Sequence, residues 1–276
     1  MIELVANRYG KAAIRLVRVA RGPGGDRVRD LTVAIALEGD FDAAHTDGDN
    51  ANVITTDTMK NTAYALAAGH LTGAIEDYAA AIGRHFLRDS QVSTVTVSID
   101  EFAWRPIGSA PDAFTRDRTS TRTCVLAMTR DGTTVDAGIA DLVVMKTSKS
   151  AFSGFPRDEF TTLPETDDRL LATKVSAVWR YVEGAAIDYD ASFEAVSRTL
   201  LEVFAEHFSV SVQASIWIIG KAIVEQHPEV AEITMTLPNL HHWTADVERF
   251  GIPNDRQVYV STTEPHGLIQ ATVRRG

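Results

Sequence analysis

Three stretches of the chain alternate apolar and polar residues with period two, which predicts half-buried strands. Leu31, Val33, Ile35 and Leu37 make one apolar face. Val95, Val97 and Ile99, interleaved with Thr94, Thr96 and Ser98, make a second, and Ile233, Met235 and Leu237, against Glu232, Thr234 and Thr236, a third. Weaker alternation over 13–21, 122–128, 134–146, 175–182, 257–262 and 268–274 extends the set. One polar face per strand predicts antiparallel sheets covered on one side only.

Helical spacing interrupts the alternation twice. Residues 57–68 are rich in helix formers, and Gly69 and Gly73 are expected to break the run. Ile75, Tyr78, Ile82 and Phe86 then recur at three or four residues. Further on, Phe193, Val196, Leu200, Phe204 and Phe208 form one stripe, and Ile216, Ile219 and Ile223, after Val212, another. Each half therefore reads as strands, two helices, then strands. This predicts an α+β fold of two similar halves, 1–147 and 148–276, joined across a stretch from Lys146 to Asp168 that carries Gly154, Pro156 and Pro164. The segment 216–224 is apolar nearly all round, so it should pack on more than one surface. Long antiparallel strands also leave edges to be covered. Both features point towards an oligomer, although a helix layer within one subunit explains the helix equally well.

Composition narrows the classes. The 276 residues carry 27 Lys and Arg against 37 Asp and Glu, a formal net charge of -10, which argues against a general nucleic-acid binder. No apolar run reaches the roughly 18 residues of a membrane span, and the first residues lack a signal-type apolar core, so a cytoplasmic protein is expected. Cys124 is the only cysteine, which leaves no disulfide framework and no multi-cysteine metal centre. The eight histidines are scattered; only His241 and His242 adjoin, and neighbours on a strand face opposite ways, so no metal site is expected. Phosphate-binding glycine loops, HExxH and GxSxG are absent.

What remains is a set of polar and aromatic residues at element ends. Lys11 follows Tyr9 and Gly10 at the entrance to the first strand. Thr56 and Asp57 are suited to capping the helix they open, but a helix N-terminus also offers free N–H groups to an anion. Val212 and Gln213 present the same choice at the last helix. Arg169 is either a surface ion-pair partner or a forked donor to a planar anion. Phe152 suits ordinary packing or a stacking platform. Asn239 and His241 close a strand whose regular ladder Pro238 is expected to end.

Taken in order, Tyr9 to Lys11 (YGK), Asn52 to Thr62 (NVITTDTMKNT) and Phe152 to Arg169 (FSGFPRDEFTTLPETDDR) resemble the urate oxidase (uricase) family. So do Ser211 to Gln213 (SVQ), Leu237 to Trp243 (LPNLHHW) and Gly267 to Val273 (GLIQATV), so the resemblance spans essentially the whole chain. It implies the tunnelling fold: tandem units, each an antiparallel sheet with two helices on one face, assembling into a barrel-like homotetramer with sites between subunits. It implies oxidation of urate by O2 to 5-hydroxyisourate and hydrogen peroxide, with no cofactor. By similarity Lys11, Thr56 and His241 form the proton relay, Phe152 stacks on the purine, and Arg169 and Gln213 clamp its edge. Backbone N–H groups near Asp57 and Val212 contact the ligand, and Asn239 and Thr56 border the O2 or water site. A base that takes the substrate's proton must be neutral, a form that burial of Lys11 would favour. Asp167 stands where the family often has an aromatic residue, and the carboxyl end lacks a peroxisomal tripeptide, as in bacterial-type members. The rivals are a zinc-dependent pterin enzyme of the same fold, disfavoured by the single cysteine and dispersed histidines, and a catalytically silent purine- or pterin-binding oligomer.

Overall fold

The computed structural model describes residues 2–276, which divide into two compact units: 2–140 with 179–193, and 141–178 with 194–276. In the first unit, β1 (Tyr9–Ala20) pairs with β2 (Arg27–Gly39), and β2 leads through a short helix, α1 (Asp42–Thr46), to α2 (Thr56–His70) and α3 (Ile75–Phe86). β3 (Val92–Pro106), β4 (Phe114–Met128) and β5 (Thr133–Lys146), most of which lies in this unit, follow, each antiparallel to its predecessor, with β3 paired to β2. The register aligns the apolar faces into cross-strand rows: Val33 faces Ile99, Ile99 faces Cys124, and Cys124 faces Ala137. Ile35, Val97, Leu126 and Val135 form the next row. These side chains are buried, together with Tyr78, Ile82 and Phe86 of α3, which packs on β3 and β4, and Met59 of α2, which packs on β1 and α3. Each fully buried aliphatic or aromatic side chain is worth about 1.5–3 kcal/mol. The opposite faces of β2 and β3 carry Thr32, Ala34, Thr96 and Ser98, so the expected one-sided covering is present. Cys124 lies in the buried row, and burial pushes its thiol well up, which removes the reactive thiolate.

The second unit contains most of β6 (Leu171–Tyr181) and of α4 (Tyr189–Glu206), and all of α5 (Val212–Gln226), β7 (Val230–Thr244) and β8 (Tyr259–Arg274). β7 and β8 pair antiparallel, and α5 packs on both. Gly220 makes this close seat possible, since a Cβ there would meet Val273 Cγ2 at 2.7 Å. Ile216, Ile219 and Ile223 are buried as their spacing predicts, whereas Trp217 is left exposed. Four boundaries differ from the sequence expectation. α2 runs through Gly69, because one glycine in a last turn costs only about 1 kcal/mol. α4 stops at Glu206, so Phe208 lies beyond the helix and is exposed. Residues 259–262 and 268–274 belong to one strand, β8, whose pairing is interrupted between them, while 257–258 lie before it. The ladder also passes through Pro238, which faces Leu268 and whose carbonyl accepts from Thr173 Oγ1 at 2.8 Å.

One buried ion pair ties α3 to β4. Glu76 is fully buried and accepts from Arg122 Nη2 at 2.8 Å, while Arg122 Nη1 donates to Asp190 at 2.6 Å. Burial raises the Glu76 carboxyl, and the guanidinium opposes that shift. Removing one partner strands the other charge in the core, at a cost of about 3–5 kcal/mol. Arg122→Met should therefore lower urea-unfolding stability by about that amount. Adding Glu76→Gln to it should recover more than half of the loss; a double variant no more stable than Arg122→Met would contradict this account.

Candidate functional site

In the first unit, the strand that carries Lys11 is distorted around it. Lys11 faces Ile35 but Ile14 faces Val33, so Ala12 and Ala13 together oppose Ala34, and Ala13 adopts a left-handed φ of 55°. Such a bulge re-aims the side chain beside it. Gly10 lets β1 come this close: a Cβ there would lie 2.0 Å from the Ile35 carbonyl oxygen. Tyr9 then stitches the strand to the lead-in of α2, with its hydroxyl donating to Ile54 O at 3.1 Å and accepting from Ile54 N at 2.9 Å. Lys11 lines a cavity of about 280 Å³ with Arg8, Tyr9, Ala34 and Thr96 among its neighbours.

The capping residue of α2 is Thr55, not Thr56 or Asp57. Thr55 holds an extended ψ of 144°, and its hydroxyl accepts from Thr58 N at 3.0 Å. Thr56 and Asp57 are thereby the first residues inside the helix, and their N–H groups bond to no described residue. The Asp57 carboxylate is engaged by Lys60 and by Asn61, so its backbone is what it offers to a ligand. Its carboxyl is lowered chiefly by the Lys60 hydrogen bond, with Lys11 among the smaller contributors.

The second unit gathers Phe152, Arg169, Val212, Gln213, Asn239 and His241 on one cavity of about 450 Å³. The segment 150–169 is a strap closed at its ends: Phe152 and Thr166 exchange backbone hydrogen bonds of 2.8 and 3.0 Å, and Arg169 N donates to Ser150 O at 2.8 Å. Phe155 stacks on Phe152 at 5.0 Å, and the Arg169 guanidinium sits 5.3 Å from the same ring. Arg169 is partly buried, burial lowers its pKa, and no carboxylate among the described residues pairs with it. Ser211 caps α5 by accepting from Ala214 N at 3.1 Å, which leaves the N–H groups of Val212 and Gln213 without a described partner. The exposed positive end of that helix and an unpaired guanidinium together make this wall receptive to a planar anion.

β7 supplies the remaining wall. Asn239 faces Gly267 and His241 faces Thr262, so this strand too is irregular beside its candidate residue. Asn239 Nδ2 lies 3.4 Å from His241 Nδ1, and the Trp243 ring stacks on His241 at 5.4 Å and 14°. Burial lowers the pKa of His241, helped by Arg169, His266 and His242. Pattern reading missed the outer rim. Asp168 and Arg256 pair at 2.8 Å there, while Asp167 is exposed and does not line the cavity. Arg256 is 88 positions from its partner, a separation that carries no periodic signal. Among the described residues, no group of three or more His, Cys, Asp or Glu is placed to hold a metal ion, and no helix is long and apolar enough to cross a membrane.

Comparison with known proteins gives one family. The family model for uricase matches residues 7–127 and 135–270. The chain is 43% identical to the uricase of Arthrobacter globiformis, over 99% of this chain and 90% of that protein. It is 38% identical to the uricase of Dictyostelium discoideum, over 100% of this chain and 98% of that protein. The crystal structure of the Arthrobacter globiformis uricase superposes with a TM-score of 0.96 at 42% identity, covering 100% of this chain and 96% of that one.

The His241 environment makes a pH prediction. Its pKa in the folded chain lies below the ordinary 6.5, so on acidification the unfolded chain takes up this proton first. The neutral imidazole's contribution to stability is complete above about pH 6.5 and is lost as pH falls further. Urea melts at descending pH should show a shallower loss for His241→Gln than for the parent. NMR titration should place the His241 midpoint below 6.5; a midpoint above it would reverse the sign.

Proposed function

The chain belongs to the uricase family, and on that premise we propose how its residues oxidise urate. Urate, O2 and water become 5-hydroxyisourate and hydrogen peroxide. Two electrons leave the purine for O2, the oxygen of water bonds to the ring, and two protons complete the peroxide, so the balance closes without a cofactor. A reaction of this kind makes the substrate its own electron source, which requires binding it as an anion and deprotonating it further.

The observation that carries the reading is Arg169, partly buried on the wall of a cavity and paired with no carboxylate among the described residues. A desolvated cation of this kind favours an anionic ligand strongly. The guanidinium and the Gln213 amide, which both donates and accepts, suit a ring edge that alternates C=O and N–H. Phe152 provides the flat surface. The N–H groups of Val212 and Asp57 take further ring atoms. Lys11 and Thr56 accept and relay the substrate's proton, Asn239 and Thr56 border the O2 or water position, and His241, kept neutral by burial, exchanges protons with it.

Each cavity alone is half of such a site, one holding the lysine and the other the anion clamp. We therefore assign the complete site to an interface between copies in a homotetramer, built from two tunnelling-fold units, 1–147 and 148–276. A lone buried thiol suits the reducing cytoplasm.

Purified protein treated with chelator should consume urate, followed by its near-ultraviolet absorbance, with matching peroxide. Lys11→Met and Thr56→Ala should each lower turnover by roughly 100-fold or more. Near-full turnover in either variant would sink the relay. Unchanged urate in the presence of folded protein would favour a silent purine-binding oligomer.

A further inference from the structure

Arg169 can grip a ligand in a defined orientation only if the rest of its guanidinium is fixed, and the structure shows what fixes it. Nε donates to Ser150 Oγ at 3.2 Å, which leaves the two Nη groups for a ligand. Ser150 is fully buried and also receives the Arg169 backbone N–H. Ser150 forms an isolated parallel bridge with Ser209, with Ala151 N donating to Ser209 O at 2.8 Å and Ser209 N to Lys149 O at 2.9 Å.

From Ser209 the network continues under the other arm of the clamp. The Ser209 and Ser215 hydroxyls lie 2.8 Å apart, both fully buried or nearly so. Ser215 sits one turn after Val212 and Gln213 on α5, and its oxygen is 2.8 Å from His207 Nε2. His207 Nδ1 lies 2.6 Å from Val203 O. A carbonyl can only accept, so Nδ1 carries the proton, and in the neutral ring Nε2 must accept from Ser215. Burial lowers the pKa of His207, which keeps that neutral form. With the Ser215 proton directed to His207, Ser215 accepts from Ser209, and the Ser211 carbonyl, 3.1 Å from Ser215 Oγ and 3.2 Å from Ser209 Oγ, is a second acceptor for both hydroxyls. The chain of contacts runs from Ser209 through Ser215 and His207 to Val203 O.

We propose that Ser150, Ser209, Ser215 and His207 form a buried bracket that positions the two substrate-holding arms, Arg169 and the start of α5, as one unit. None of the four lines the cavity, so they are positioning residues for urate binding, and the inference rests on the urate reading above. A bracket of this kind acts on affinity: it fixes the spacing between the guanidinium and Gln213, while the proton relay stays as it was.

The test is steady-state urate oxidation by Ser150→Ala, Ser215→Ala and the double variant, each with a thermal melt. Each single change should raise KM about tenfold while kcat stays within about twofold. The double variant should be little worse than either single one, because both break the same bracket. His207→Gln, whose amide oxygen can replace the accepting nitrogen, should keep KM near the parent, whereas His207→Phe should raise it; this pair carries the test if Ser150→Ala does not fold. An unchanged KM with a lowered melting temperature, or KM effects that multiply in the double variant, would overturn the bracket while leaving the urate reading intact. A parent protein that leaves urate untouched would overturn both.

Discussion

A guanidinium drawn partly out of water with no carboxylate beside it is the constraint around which the second unit is arranged. Arg169 loses hydration and gains the Ser150 hydroxyl but no carboxylate partner among the described residues, and such a position is tolerable only where the surroundings repay it or a ligand does. The nearby acids are held elsewhere: Asp168 by Arg256 at 2.8 Å, and Glu165 by the Gly154 N–H at 3.0 Å. Had either closed on Arg169, the cavity would present a neutral pair to solvent. Because neither does, a chain of net charge -10 keeps a guanidinium without a carboxylate partner on this wall, beside the positive end of α5.

The first unit solves a different problem with related means. Lys11 must be offered from a strand, where side chains ordinarily alternate rigidly between faces, and the Ala12–Ala13 bulge breaks that alternation. The left-handed Ala13 stores backbone strain, which the regular pairing of Ile14 and its successors offsets. In both units a hydroxyl one residue before the helix, Thr55 or Ser211, takes over capping. The next two N–H groups are then free in each case, and the helix end becomes a donor surface as well as a structural terminus.

The elements were legible because they depend on local periodicity. Leu31 to Leu37 and Val95 to Ile99 alternate, and the structure buries their apolar positions, with α3 packed on β3. The cap was misplaced by one residue because Thr55, Thr56 and Asp57 all have capping side chains, and only backbone torsions choose among them. Pro238 was misread because proline lacks only its own donor; its carbonyl still finds Thr173. The roles of Lys11, Phe152 and Arg169 came from resemblance to a family, since alone each also fits a bland surface or packing role. The Asp168–Arg256 rim and the serine bracket behind Ser150 left no trace in the pattern. They join residues far apart in sequence through hydrogen bonds that obey no period.

The reaction also bears on where the chain keeps its one thiol. Peroxide oxidises thiolates rather than thiols, so an enzyme that releases peroxide at each turnover endangers any exposed cysteine of ordinary acidity. Cys124 lies between Ile99 and Ala137 on the covered face of the sheet, and burial raises its pKa well above the usual value. The burial that contributes to packing therefore also withholds the nucleophile. In this position the residue behaves as a small hydrophobe, and the product of the reaction meets no thiolate on the described surface.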